Sequence, residues 1–268
     1  MTRVAVIGHV EWVEFLTLDA LPAAGQVVHA HDSFTRAAGG GGVAEVVLAE
    51  LGAQVDFFCA LGDDDTGRAA AAQLEQRGVT PRIAWRRKQP TRRALGLLIE
   101  GGDRAVVTIG HRLEPDGEDG LPWERLAAAD GVFVTAGDAP ALDRARAAQV
   151  VVATPRAREA FADPAGPRVD ALVFSAGDHD EAAWAGELAP RSRLLVATEG
   201  AVGGRWWGES EGRWEAVAPD GPIRDSFGCG DSFAAALTFG LAQGLSVAQA
   251  AALGARCGAR ALTRSGAP

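Results

Sequence analysis

The chain has 268 residues, 47% of them hydrophobic and 23% charged, a balance that supports an ordinary globular core. Thirty-five acidic residues against 26 basic ones give a formal charge of −9, which repels phosphate backbones and leaves nucleic acid an unexpected partner. No apolar run reaches the roughly 18 to 20 residues that cross a bilayer, and the opening MTRVAVIGHVEW lacks the apolar stretch of a signal peptide, so the expectation is a cytoplasmic protein with no membrane partner.

Val4-Ala5-Val6-Ile7, ended by Gly8, is a short β-branched run expected to form a buried first strand of a parallel sheet. Glu11–Leu18 and Val27–Arg36 follow as extended pieces with no helix between them. Four glycines, 39 to 42, lead into a helix over Val43–Leu51, then a buried strand at Val55–Ala60 and a helix at Thr66–Arg77. Arg82–Trp85, Arg93–Glu100 and Ala105–Thr108 are again extended pieces without helices. Beyond them strand and helix alternate: Gly131–Thr135, Ala139–Ala148, Val150–Ala153, Ala171–Ser175, Asp180–Gly186 and Leu194–Thr198, then helices at Asp231–Gln243 and Val247–Thr263. The alternation predicts an α/β fold with helices on both faces of a mostly parallel sheet. The pieces that break it predict a small antiparallel sheet projecting from the main body.

Several chemistries are excluded by missing residues. There is no tyrosine, and Lys88 is the only lysine, so neither a Walker loop nor a Tyr/Lys dehydrogenase pair can be built. Gly208-Glu209-Ser210-Glu211-Gly212 matches a G-x-S-x-G nucleophile pattern, but the last histidine, His179, precedes it; a polar hairpin turn between Trp206-Trp207 and Trp214 is the better reading. Cys59, Cys229 and Cys257 read as reduced thiols, and the pair His29/His31 is too little for a metal site. Gly39-x-Gly41-x-x-Ala44 fits a dinucleotide fingerprint, yet the first strand ended far upstream at Gly8.

The most informative stretch is Asp225-Ser226-Phe227-Gly228-Cys229-Gly230-Asp231-Ser232-Phe233, which runs straight into an alanine-rich helix. Two glycines flanking one residue before a helix let successive N–H groups point outward where the helix dipole favours negative charge, forming an anion cradle. An aspartate there would repel phosphate, so its useful role is to take a proton from a hydroxyl attacking phosphorus. The plainer reading is a tight turn at Gly230 with Asp231 as helix N-cap.

This stretch resembles the second signature of the ribokinase-like, or PfkB, carbohydrate kinases, a D-T-x-G-A-G-D-T-F-like sequence. The first signature is resembled by glycines 39 to 42, the helix to Leu51-Gly52-Ala53, and Ala60-Leu61-Gly62-Asp63-Asp64-Asp65-Thr66-Gly67. Leu21–Val28 looks like the family's L-P-x-x-G-E-x-V connection into its lid, Thr198–Gly203 is similar to its T-L-G-x-x-G nucleotide loop, and the tail Ala255–Ala267 is similar to the helix and loop that close over adenine. The resemblance covers nearly the whole chain. It implies a single ribokinase-like three-layer α/β domain over residues 1–268, with lid strands interleaved at about 11–18, 27–36 and 82–108. It also implies ATP-dependent phosphorylation of a hydroxyl of a small sugar or sugar-like molecule, with ATP and Mg²⁺ required and a monovalent cation left open. Asp231 would be the base, and the N–H groups of Gly228, Cys229 and Gly230 would stabilise the transferring phosphoryl group. Thr198, Gly200, Gly203 and Gly258 would meet nucleotide, Glu11, Gly39 and Gly40 would join Asp231 around the sugar, and Asp178 would serve the metal. A homodimer through the lid is expected, because a small sheet needs cover on one face.

The sequence departs from the family at the acceptor side. The sugar-gripping Asn and Asp after the first strand are replaced by Glu11 and Val13, the asparagine of the first signature by Val43, and the N-x-x-E motif by Ser175-Ala176-Gly177-Asp178. An apolar side chain cannot accept a hydroxyl hydrogen bond. With the catalytic block intact and the substrate block altered, the reading is phosphoryl transfer to a changed acceptor; the alternative is a sugar or nucleotide sensor on a kinase scaffold.

Overall fold

A computed structural model describes residues 1–99, 102, 104–266 and 268. Its strands are β1 (Arg3–Ile7), β2 (Glu11–Leu18), β3 (Asp32–Ala38), β4 (Gln54–Gly62), β5 (Pro81–Arg86), β6 (Arg93–Ile99), β7 (Arg104–Ile109), β8 (Gly131–Val134), β9 (Val150–Ala153), β10 (Val169–Ser175), β11 (Ser192–Thr198), β12 (Gly204–Gly208) and β13 (Gly212–Trp214). Its α-helices are α1 (Gly39–Glu50), α2 (Asp65–Gln76), α3 (Ala139–Ala145), α4 (His179–Leu188), α5 (Cys229–Ala242) and α6 (Val247–Ala261). Glu100 and Ala267, which end two of the predicted segments, lie outside the described residues.

The unbroken apolar run of β1 is explained by burial on both faces. Val4 and Val6 enter one buried cluster with α1, α5 and α6, while Ala5 and Ile7 enter another with α3 and the strands beside it. Nine strands form the central sheet in the order β13-β12-β11-β10-β9-β8-β1-β4-β5. The pairs from β11 through β5 are parallel, and the hairpin β12–β13 adds an antiparallel edge. With helices on both faces, this is the ribokinase-like three-layer sandwich of the expectation. Helix α5 is buried from Ser232 through Gly240 because the sheet, α1 and α6 surround it. The hairpin occupies the turn region foreseen around Ser210.

A separate four-stranded sheet, order β3-β2-β6-β7, makes the lid. β2 alternates strictly at its start: Glu11, Val13 and Phe15 face inward and are buried, while Trp12 and Glu14 face out. Gly96 on β6 must lack a side chain, since a Cβ there would come within 2.6 Å of the Phe15 ring.

Three expectations about the lid are corrected, the first being that its sheet is mixed and not antiparallel: β2 pairs with β6 in parallel, because the chain passes through the central sheet between them. Arg82–Trp85 belongs to β5, which pairs in parallel with β4 at the edge of the central sheet, and not to the lid. Its polar alternation is that of a half-covered edge strand, with Arg82 paired to Asp56 at 3.1 Å and Pro81 at the first position, where no ladder donor is required. Residues 27–30 are not a strand either; pairing of β3 with β2 ends at Thr17↔Asp32, and Val27 is 87% exposed. The second lid strand instead runs on to Ala38, directly into the glycines of α1.

Candidate active site

In an open parallel sheet ligands bind beyond the carboxyl ends of the strands. Here those ends deliver His9 after β1, Thr135 after β8, Arg156 after β9, Asp178 after β10 and Thr198 on β11. The glycines of α1 are packed into this edge. Gly40 donates its N–H to His9 Nε2 at 3.3 Å. A Cβ on Gly40 would lie 3.0 Å from Asp231 Oδ1, would collide with Thr135 Oγ1, and would press on His9 Cε1 at 3.3 Å. The backbone of Gly40, the His9 ring and the Asp231 carboxylate therefore line one space. Gly39 has φ +86 and abuts His9, so its glycine serves the turn into the helix.

Asp231 is the third residue of α5 and not its N-cap. That place belongs to Gly228, at φ +74, with no side-chain cap. The first helical bond runs from Ser232 N to Gly228 O at 2.8 Å, and Cys229 N reaches Ser226 O only at 3.4 Å. Among the described residues, the N–H groups of Gly228, Gly230 and Asp231 have no acceptor, which leaves three donors at the positive end of the helix dipole. Cys229 shares its N–H with the loop. A side chain at Gly228 would press on Val43 at 3.1 Å, so the valine in place of asparagine fills the space behind the cradle. Asp225, fully buried, accepts from Phe227 N and Gly266 N at 2.7 Å each and ties the loop to the tail.

The Asp231 carboxyl is pushed up to about 6, first by burial and then by Glu181, against the pull of Arg156 and Arg104. It remains partly open to solvent at the mouth of the site. Arg104, on lid strand β7, donates to Ser226 Oγ at 2.6 Å and sits 5.9 Å above the Phe227 ring, which carries a guanidinium across to the cradle loop. Glu11 faces the same space from β2; burial raises its carboxyl, and Arg92, 3.2 Å away, opposes the rise.

Asp178 caps α4, accepting from Glu181 N at 3.0 Å, and pairs with Arg156 at 2.6 Å. Glu181 pairs with the same guanidinium and accepts from Ser175 N at 2.7 Å. Of the stretch Ser175 to Asp178, then, only Asp178 brings a carboxylate, and the second acid of the cluster is Glu181. No group of three or more His, Cys, Asp or Glu among the described residues could hold a metal alone. Magnesium carried on nucleotide phosphates needs fewer protein ligands, because it keeps several waters, and the Asp178/Glu181 pair fits that demand.

The nucleotide-side candidates lie along the same edge. Thr198 Oγ1 donates to Phe174 O at 3.3 Å. Gly200, at φ +60, faces open space, whereas a Cβ on Gly203, at φ +104, would strike the backbone of Trp214 to Ala216. Gly258 lets α6 approach the Cys229 carbonyl, where a Cβ would sit at 3.3 Å. His9, Arg92, Arg104, Thr135, Arg156 and Glu181 were not singled out by sequence reasoning. The strand ends that deliver His9, Thr135 and Arg156 were the available signal; the lid arginines had none.

Comparisons with known proteins bear on the family and the fold. The model of the pfkB family carbohydrate kinases matches residues 1–268. The ATP-dependent ribose-1-phosphate kinase of Halopiger xanaduensis is 32% identical over 139 residues, 50% of this chain and 46% of that one, so the match spans about half the relative's length. The solved structure of a microbiome-derived acarbose kinase, Mak1, superposes with a TM-score of 0.79 at 26% identity, covering 99% of this chain and 94% of that one. Ribokinase from Thermotoga maritima gives 0.73 at 17% identity, covering 100% and 95%. A family model matched from end to end settles the affiliation: the chain belongs to the pfkB family of carbohydrate kinases.

Proposed function

We propose that the protein transfers the γ-phosphoryl group of ATP to a hydroxyl of a small sugar or sugar-like acceptor. The observation that carries this reading is Asp231, a carboxylate raised to about 6, beside three unshared helix N–H groups and across from the glycine backbone of α1. Asp231 takes the proton of the attacking hydroxyl. The amides of Gly228, Gly230 and Asp231, with the Cys229 N–H in support, hold the equatorial oxygens of the phosphoryl group as charge spreads over them. Arg104 adds a positive charge from above when the lid is down. Thr198, Gly200, Gly203 and Gly258 border the nucleotide, and Glu11, Gly39 and Gly40 border the acceptor. ATP brings Mg²⁺, which neutralises phosphate charge; Asp178 and Glu181 would hold its waters. No tie to a monovalent cation is drawn.

The test is ATP turnover across neutral and charged sugars and nucleosides. Turnover with at least one acceptor supports the reading; nucleotide and sugar binding without turnover for every acceptor would favour a sensor. Gly40→Ala is expected to lower turnover about 10- to 100-fold, since its methyl intrudes between Thr135 and Asp231. Gly42→Ala, whose Cβ would meet nothing closer than 3.8 Å, is expected to leave it nearly unchanged. Steady-state kinetics on the two variants checks both.

We also infer a homodimer through the lid. The outward face of the lid carries half-buried Leu16, Leu95 and Leu97, with Glu14 and Arg93 among them and Val107 and Ile109 on the edge strand 50% and 44% exposed. That leaves a partly apolar sheet face, whose exposed edge a second copy of the same face would bury. Light scattering at micromolar concentration is expected to give twice the monomer mass, and Val107→Lys with Ile109→Lys to give the monomer; a monomeric wild type refutes the pairing.

A further inference from the structure

Resting on the kinase reading, we propose that the acceptor carries an oxyanion, a phosphate ester or a carboxylate, bound by Arg92 and Arg112 with the His9 ring beside it. The inward face of β2 offers one hydrogen-bond acceptor, Glu11, and then only Val13 and Phe15, both fully buried and apolar. Asp231 faces the same space across Gly40, and the groups closest to Glu11 are donors. His9 takes the Gly40 N–H on Nε2, so its proton sits on Nδ1, a buried atom with no partner among the described residues. The ring is held neutral, first by burial and then by Arg112, Arg92 and Arg156 around it.

Arg92 Nε is buried 3.2 Å from Glu11 Oε1 without hydrogen-bond alignment, and its two terminal nitrogens bond to no described residue. Arg112 enters from the segment after β7, anchored through Nε to Glu114 at 2.5 Å and through Nη2 to Arg156 O at 2.9 Å. The Arg112 guanidinium is thus fixed at one end, the Arg92 guanidinium stands beside Glu11 without a bonded partner, and the charges of both are felt at His9 and Glu11. A neutral polyol would satisfy Glu11 and leave these N–H groups bare, whereas a phosphate or carboxylate supplies acceptors in the planar geometry a guanidinium matches. His9 Nδ1 and Arg92 Nε are already buried without partners, and a site built to bond a charged group discriminates against a ligand that lacks it.

The experiment compares matched acceptors with saturating ATP and Mg²⁺: ribose with ribose 5-phosphate and ribose 1-phosphate, glucose with glucose 6-phosphate and with gluconate. The expected result is a kcat/KM at least about 100-fold higher for one charged member than for its neutral counterpart, with the phosphate and carboxylate arms identifying the source of the oxyanion. Arg92→Gln is expected to raise KM for that acceptor tenfold or more with a smaller change in kcat, Arg92→Lys to restore part of it, and the double variant Glu11→Gln/Arg92→Gln to show the same loss with no charge left unpaired. A parallel arm records the melting temperature with each acceptor in the presence of ADP. A shift for the charged member that disappears in Arg92→Gln, with no turnover of any acceptor, upholds the anion subsite and sinks the kinase reading. Equal turnover or equal shifts for charged and neutral members, in wild type and variants alike, overturns the proposal.

Discussion

Asp231→Asn is expected to lower turnover by about 10² to 10⁴-fold while ATP affinity stays nearly unchanged. The substitution keeps shape and removes the proposed proton acceptor, and no hydrogen bond among the described residues depends on that side chain. Because burial and Glu181 raise the carboxyl to about 6, kcat/KM of the wild type should climb as pH rises through about 6 and then level. The same shift fixes the sign for stability. A carboxyl raised in the folded state destabilises progressively as pH rises from its unfolded value of 3.8 to about 6, and the full cost persists above that. The asparagine variant should therefore melt higher than wild type at pH 7, by roughly 1–3 kcal/mol of added stability. Lost activity in a better-folded protein separates chemistry from unfolding; wild-type turnover in the variant removes Asp231 from the mechanism.

Glu45→Gln should stabilise the protein, increasingly as the solution is made more alkaline. Glu45 lies on α1 at 0% exposure, neither carboxylate oxygen has a hydrogen-bond partner among the described residues, and burial pushes its carboxyl up to about 9, with Arg77 opposing weakly. The unfolded chain ionises near 4.5, so wild-type stability is complete below that pH and drains away as pH rises toward 9. At pH 7 the difference is on the order of 2–4 kcal/mol, and the amide, which does not ionise, abolishes the slope. Thermal or urea unfolding at pH 5, 7 and 9 checks this: the two proteins should converge at pH 5 and diverge at pH 9. Parallel curves would mean that the carboxyl finds a partner.

The two residues illustrate what a sequence discloses. Asp231 was legible because a glycine pair and a helix start are local features, and they constrain the backbone directly. The central sheet was legible for a similar reason, since β1 and its neighbours are buried on both faces and read as unbroken apolar runs. Arg82–Trp85 misled because an edge strand of the central sheet and a lid strand share the same half-polar pattern; only pairing with β4 distinguishes them. Glu181 was hidden because one helical turn separates it from the cap Asp178, and Arg156, the residue that joins them, arrives from another strand. Arg92, Arg104 and Arg112 meet His9 and Asp231 only through the fold of the lid.

The rings behind the cradle give the molecule a native optical label. Trp206 stacks on Trp214 at 6.3 Å, and Trp214 stacks on Phe233 at 5.0 Å, two residues beyond Asp231. Since the chain has seven tryptophans and no tyrosine, its ultraviolet emission is indole emission alone. If a nucleotide settles against the start of α5 as proposed, it is expected to perturb a fluorophore already in place, so that its occupancy can be followed in the unlabelled protein.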